Sequence, residues 1–322
     1  MANTYTDNTP VKGLLYSYRV VAEFADAFTN STPPNPLNVA SGRASDNVCV
    51  ELPKNAPIIT NVSIEQTQST NGQIYIAWTK PNAIALDTLI NPPPYRYELY
   101  RAQGFTGVNY TLVQTWNYAS FAQANDTTYL DQVTEINTVG NPYHYKVAFY
   151  ASNQLVDESE AASSVYLSTL PSDNQLELSW DFNVPWLNTS YNIFRETETG
   201  TYINIGTTTT KEFTDSQLQN GKEYCYYIEA IGTYANPAMP EPLINLSQKK
   251  CGIPVDTIPP CPPILSVTNY CESGEPNIPE ILSNLLQWTN NNQNNCADDV
   301  VGYNVYFSPP LSPDYELIAT VD

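Results

Sequence analysis

A seven-residue pattern occurs three times in the chain and constrains its fold more than any other feature. The three copies begin at Tyr16, Tyr143 and Tyr224, and large apolar residues occupy every second position in each. A period of two is typical of a β-strand with one buried face. An aspartate that we place in a turn precedes each copy: Asp7, Asp131 and Asp215. This repetition predicts a chain built from copies of one β-domain.

A second repeated pattern places a tryptophan strand before a strand that begins with tyrosine. The tryptophans are Trp78, Trp180 and Trp288, and the following strands begin at Tyr97, Tyr191 and Tyr303. A short third strand follows in each case, and proline and asparagine are frequent in the connections. No long stretch has the 3.6-residue apolar period of an amphipathic helix. Short strands separated by turns predict a β-sandwich.

In these patterns the sequence resembles the fibronectin type III family. The shared features are a proline-led first strand, tryptophan on the second strand, tyrosine on the third and a tyrosine-led strand near the end. The resemblance implies an all-β fold of tandem fibronectin type III (immunoglobulin-like) sandwiches in an elongated array. Its core positions are Trp78, Trp180, Trp288, Tyr16, Tyr143 and Tyr224.

The same resemblance divides the chain into two complete and two partial domains. Residues 54–169 and 170–259 hold all the expected strands, whereas residues 1–53 hold only closing strands and residues 260–322 only opening strands. We expect the chain to be a window on a longer protein, with a regular array cut in the same loop at both ends. The alternative is that the closing strands of one copy complete the open half of the next.

The charge balance excludes several functional classes. The chain has 13 Lys+Arg against 33 Asp+Glu, a net charge of −20, which disfavours binding to phosphate backbones and anionic membranes.

The single histidine, His144, alternates with Tyr143 and Tyr145 and is therefore predicted to point outward. The acids that could form a hydrolase pair are expected to be solvated: Asp157, Glu158, Glu160, Glu196 and Glu198. We expect no catalytic residues, no cofactor and no enzymatic activity.

Four of the six cysteines are predicted to form two disulfides. Cys225 lies on the outward face of its strand, and Cys251 lies near the end of the antiparallel strand that follows, so these two are expected to pair. Cys261 begins the first strand of the last unit and Cys296 lies in a loop at the same pole, which makes them the second expected pair. Disulfides indicate an oxidising compartment.

The other two cysteines have no clear partner. Cys271 lies at the opposite pole of its strand from Cys261, and the residue opposite Cys49 is Ser17, so Cys49 is expected to be unpaired. No two cysteines show the C-x₂₋₄-C spacing of a zinc site.

Three further features allow binding or modification. Asp298 and Asp299 lie in an asparagine-rich loop that is either a weak calcium site or ordinary turn chemistry. Four aromatic residues lie outside the core pattern and either pack against loops and neighbouring domains or bind carbohydrate or protein: Trp116, Trp186, Tyr118 and Tyr234. Six asparagines satisfy the N-glycosylation pattern: Asn30, Asn61, Asn109, Asn125, Asn188 and Asn245.

A narrower resemblance concerns the proline-rich segment 251–263 and the segment 294–303. Both are similar to fibronectin-type repeats of large Bacteroidota surface proteins, which are gliding-motility-associated and exported by the type IX secretion system. The resemblance implies an extracellular protein attached to the outer membrane that acts as a spacer, an adhesin or a gliding filament. Alternatives are an accessory subunit of the secretion or motility machinery and the non-catalytic region of a secreted polysaccharide hydrolase. The implied partners are neighbouring repeats, cell-surface protein or polysaccharide, and outer-membrane secretion or motility components.

Overall fold

The computed structural model describes residues 4–10, 14–24, 27–28, 36–37, 40–51, 56–257, 259–269, 283–289 and 300–321. The first group of strands comprises β1 Leu15–Tyr18, β2 Val21–Phe24, β3 Ala27–Phe28, β4 Pro36–Leu37, β5 Ala40–Ala44 and β6 Val48–Glu51. β1 pairs with β6, β2 with β5 and β3 with β4, all antiparallel, so the group is one long hairpin.

The second group of strands forms a complete sandwich, which we name sandwich 2. Its elements are β7 Ile58–Gln66, β8 Gln73–Thr79, α1 Ala83–Leu86, β9 Tyr95–Gln103, β10 Thr111–Tyr118, a 3₁₀ turn Phe121–Gln123, β11 Thr128–Asp131, β12 Tyr143–Ala151, β13 Gln154–Glu158 and β14 Ala162–Ser163. One sheet has the order β11-β8-β7, and the other has the order β10-β9-β12-β13, with β14 also paired to β12.

The third group repeats this arrangement, and we name it sandwich 3. Its strands are β15 Tyr166–Ser172, β16 Gln175–Asp181, β17 Leu187–Glu196, β18 Tyr202–Thr208, β19 Glu212–Ser216, β20 Tyr224–Thr233, β21 Leu243–Leu246 and β22 Lys250–Gly252. The sheets have the orders β15-β16-β19 and β18-β17-β20-β21, with β22 also paired to β20. In both sandwiches the first, second and fifth strands form one sheet, which is the fibronectin type III arrangement.

The last group forms two hairpins. Its strands are β23 Ile264–Asn269, β24 Asn284–Thr289, β25 Tyr303–Phe307 and β26 Glu316–Val321. β23 pairs with β24 and β25 with β26. Trp288 and Tyr303 line an apolar cleft and are only half-buried, because the described residues supply only the opening strands of a sandwich.

Alternation along the strands builds the cores as predicted. In β16, Leu176, Leu178 and Trp180 are buried, while Glu177 and Ser179 between them are exposed. Trp180 packs edge-on against the Tyr191 ring at 5.1 Å between ring centroids. The expected fold class, all-β tandem fibronectin type III-like sandwiches, is confirmed.

The boundary between the two sandwiches differs from the expected one. β15 begins at Tyr166 and pairs with β16, so strand residues of sandwich 3 precede the expected start at residue 170. Leu170 and Pro171, which resembled a linker in the sequence, lie inside β15. Ser164 and Val165 are the two residues between β14 and β15, and both are buried.

Candidate functional site: the joint between two sandwiches

A cluster of a partly buried arginine, a buried aspartate and a buried tyrosine recurs inside both sandwiches. In sandwich 2, Arg101 Nη1 lies 2.7 Å from Asp131 Oδ2, to which the Tyr145 hydroxyl donates at 3.0 Å. In sandwich 3 the same contacts join Arg195 to Asp215 at 2.7 Å and Tyr226 to Asp215 at 2.8 Å. The aspartate comes from one sheet and its two partners from the other, so the cluster fastens the sheets together. This contact accounts for the recurring aspartate in the sequence.

The cluster also corrects the predicted core tyrosines. The second tyrosine of each strand, Tyr145 or Tyr226, is completely buried. Of the expected positions, Tyr143 is buried, whereas Tyr224 and Tyr16 are half-buried. Burial raises the pKa of both cluster tyrosines well above that of a free phenol.

Large apolar side chains of sandwich 3 continue the hydrophobic core of sandwich 2. Trp186, Tyr234, Met239 and Leu243 belong to the same buried cluster as the core residues of β7 and β8. Tyr234 is fully buried, and its ring lies 6.0 Å from that of Trp186 between centroids. For Trp186 and Tyr234 the sequence allowed either packing against a neighbouring domain or binding of carbohydrate or protein. The structure shows that both pack against the neighbouring domain.

A row of hydrogen bonds runs alongside this apolar contact, between β7 with the adjacent Thr67 of sandwich 2 and the β20–β22 segment of sandwich 3. The bonds are Tyr234 hydroxyl to Ile59 O at 2.7 Å, Asn61 Nδ2 to Ile244 O at 2.8 Å, Val62 N–H to Asn245 Oδ1 at 2.8 Å, Leu246 N–H to Ser63 Oγ at 3.1 Å and Lys249 N–H to Thr67 Oγ1 at 2.8 Å. In each bond a side chain of one sandwich satisfies a backbone group of the other. Unpaired edge groups of β7 and β21 are thereby covered, which protects both edges from pairing elsewhere.

A smaller contact involves the loop after β16. Asn183 N–H donates to Ser163 Oγ and Ser163 N–H donates to Asn183 O, both at 2.8 Å. Asn183 Nδ2 also donates to Phe105 O at 3.4 Å. We name this contact, the hydrogen-bond row and the shared apolar cluster together the joint.

The joint changes the interpretation of two glycosylation patterns. Asn61 and Asn245 both hydrogen-bond across it, and Asn245 is 2% exposed. A glycan on Asn245 would separate the sandwiches, so this position serves packing in the folded chain.

Two cysteines form the disulfide expected in sandwich 3. Cys225 and Cys251 are directly opposite each other in the β20–β22 ladder and are joined. Cys49 is opposite Ser17 in the β1–β6 ladder and is free and exposed. Cys261 is disulfide-bonded, while Cys271 and Cys296 lie outside the described residues.

Several other expectations are corrected or lie outside the described residues. His144 was expected on the surface but is 1% exposed, because the loop 104–110 covers it: Nδ1 lies 2.8 Å from Gly104 O, and the Tyr110 ring packs against it. Trp116 packs against Trp78 at 5.5 Å between ring centroids and Tyr118 packs against Tyr97, so both are partly buried against the core of sandwich 2. The weak calcium candidates Asp298 and Asp299 lie outside the described residues.

The described residues offer little for catalysis or metal binding. Glu158 is ion-paired with Lys146 at 2.8 Å rather than with a second acid. Glu223, Cys225 and Cys251 are close enough to share an ion, but both sulfurs are in the disulfide and provide no thiolate. On the outer face of sandwich 3, Phe194 and Tyr227 stack on each other at 4.7 Å, so each ring has one face occupied by its neighbour.

Comparison with known proteins adds little to this description. No family model matches the sequence, and no curated protein matches it. Among solved structures, the crystal structure of the FN1–FN3 domains of chicken CNTN1 is similar, with 13% identity over 76% of this chain and 77% of that chain and a TM-score of 0.23. The fibronectin type III-like assignment therefore rests on the strand order. In the part of the chain that the structure describes, no helix has the length and apolar content needed to span a bilayer.

Sequence reasoning missed most of the joint. Asn61 and Asn245 appeared only as glycosylation patterns, and nothing in one sequence pairs positions 183 residues apart. Tyr234 and Trp186 did carry a signal, since both are large aromatic residues outside the repeated core pattern.

Proposed function

We propose that this chain is a non-catalytic structural segment that holds parts of a larger protein at a fixed spacing. The joint supports this proposal most directly. Domains in one chain usually move relative to each other unless their interface is extensive and apolar. Here the two sandwiches share a hydrophobic cluster and a row of hydrogen bonds.

The connection between the sandwiches favours the same conclusion. Only Ser164 and Val165 separate β14 from β15, and their relative exposures are 1% and 2%. A buried two-residue connection leaves no flexible linker about which the sandwiches could swing. A spacer needs a rigid connection of this kind, because its length is then set by its domains and not by a flexible linker.

We further propose that the segment works outside the cell, as part of a spacer or adhesin attached to a bacterial outer membrane. The disulfide between Cys225 and Cys251 favours an oxidising compartment. The similarity of segment 251–263 to repeats of Bacteroidota surface proteins supports a role in adhesion or gliding motility, with neighbouring repeats and surface protein or polysaccharide as partners. Pull-down from surface-labelled cells tests this: recovery with a stable secretion or motility complex would instead indicate an accessory subunit.

The fixed spacing is tested by a distance measurement between the sandwiches. Spin labels are attached through a ketone-bearing non-natural amino acid at the exposed positions Asn117 of sandwich 2 and Asn204 of sandwich 3, so that the free Cys49 and the other native cysteines stay unlabelled. Double electron–electron resonance should give one narrow distribution of the distance between the two spin labels. A control pair within sandwich 3, at Asn204 and the exposed Glu177, gives the width expected for a single rigid domain.

A distribution between the sandwiches that is no wider than the control supports a fixed spacing. A distribution several times wider than the control would show that the sandwiches swing independently, and the proposed spacer function would be wrong.

A further inference from the structure

The sandwich 3 residues that form the main part of the joint lie in one segment of the chain. Tyr234, Met239, Leu243 and Asn245 all fall between Cys225 and Cys251. The same is true of the backbone groups of residues 244, 246 and 249 that bond to β7. The Cys225–Cys251 disulfide therefore closes a loop that contains every sandwich 3 partner in the hydrogen-bond row.

This segment is harder to hold in place than its counterpart in sandwich 2. There, β12 and β13 are joined directly by Ser152 and Asn153. In sandwich 3, residues 234–242 separate β20 from β21, and this longer connection carries Tyr234 and Met239. A longer loop has more conformations to lose when it docks, so a covalent link at its base favours the docked state more.

The three units differ at the position of the disulfide. Directly opposed residues there are Ser17 and Cys49 in the first hairpin, His144 and Ser163 in sandwich 2, and Cys225 and Cys251 in sandwich 3. Sandwich 2, with the short connection, folds with a histidine–serine pair at this place. The repeated fold therefore does not itself require a disulfide there.

We propose that the Cys225–Cys251 disulfide is a positioning element of the joint: it holds the β20–β22 segment in the conformation that docks on β7. This inference rests on the proposed function, since it assumes a closed joint. It assigns the disulfide a role in the contact with sandwich 2 beyond the stability of sandwich 3 alone.

Amide hydrogen exchange on the whole chain tests the proposal at single residues. The Val62 amide donates to Asn245 and the Leu246 amide donates to Ser63, so both report joint opening. The Trp78 amide, bonded to Thr127 O, and the Trp180 amide, bonded to Lys211 O, report the interiors of sandwiches 2 and 3.

The test protein carries Cys225→Ser and Cys251→Ser. Substitution is preferred to a reductant because Cys261 is disulfide-bonded as well. A second protein with Cys225→Val and Cys251→Val keeps an apolar cross-strand pair without the covalent bond, and so remains informative if the serine protein does not fold.

Loss of the link should speed exchange at Val62 and Leu246 by roughly 30- to 1,000-fold, the factor that corresponds to the typical loop-closure contribution of a disulfide. Exchange at Trp78 should stay within about twofold of the wild type, and exchange at Trp180 should rise much less than exchange at Val62, because the interiors of both sandwiches remain folded when the joint opens.

Two results would overturn the proposal: unchanged exchange at Val62, or equal acceleration at Val62 and Trp180, which would mean that the disulfide only stabilises sandwich 3. Fast exchange at Val62 in the wild-type protein would be a different result. It would mean that the joint is open and that the proposed function itself fails.

Discussion

Replacing Asn245 by alanine removes one acceptor from the joint and is the sharpest test of its energetics. Asn245 is 2% exposed and Val62 is 0% exposed, so the Val62 N–H would lose its partner in a site closed to water. Leaving a buried donor unsatisfied costs about 1–3 kcal/mol. For a cooperative body of about 200 residues, each kcal/mol lowers the melting temperature by about 2–4 °C. We therefore expect a decrease of about 2–12 °C, measured by differential scanning calorimetry.

The matched control is Asn204→Ala. Asn204 Oδ1 also accepts a backbone N–H, from Gly206 at 2.9 Å, but Asn204 is exposed on β18 and water can replace it. Its loss should change stability by less than about 0.5 kcal/mol. If Asn245→Ala melts like Asn204→Ala, the joint bonds contribute nothing measurable, and the inference of a fastened pair of sandwiches is wrong.

Three further predictions follow from the sandwich interiors. Asp131→Asn leaves the largely buried Arg101 without its charged partner and should destabilise the chain by about 2–4 kcal/mol in urea unfolding. Asp181→Asn breaks an exposed ion pair and should cost less than about 1 kcal/mol, and equal losses would contradict the role of the cluster. Gly232→Ala would place its Cβ 2.5 Å from Trp186 Cδ1, so we expect lower stability and altered tryptophan fluorescence, and an unchanged spectrum would argue against this packing. Burial raises the pKa of buried tyrosines such as Tyr226, so unfolding releases phenolic protons at alkaline pH. Their contribution to stability should be constant from neutral pH to about pH 10 and be lost above it, and a melting temperature that is flat from about pH 8 to about pH 12 would contradict this.

The repeated elements of the fold could be predicted because local patterns determine them. Alternation identified β12 and β20, since one face of each strand must be buried. The disulfide pairing followed from the antiparallel return of the chain along β20, where β22 places Cys251 opposite Cys225. These inferences need only neighbours in sequence or in one hairpin.

The joint could not be predicted, because it depends on which surfaces of two finished domains meet. Asn245 and Val62 belong to different sandwiches, and polar strand residues such as Ser63 have the same sequence pattern whether they face water or another domain. His144 shows the same limit, because alternation correctly places it away from the sandwich core but cannot show that the loop 104–110 covers it.

Residual dipolar couplings test most directly whether sandwiches 2 and 3 behave as one body. Amide couplings from the β7–β14 strands and from the β15–β22 strands are fitted separately in one weakly aligned sample of the full chain. We predict that the two sets give alignment tensors of the same magnitude and orientation, because the joint prevents independent reorientation. Tensors of clearly different magnitude would show that the sandwiches move independently, and the account of this segment as a fixed spacer would be wrong.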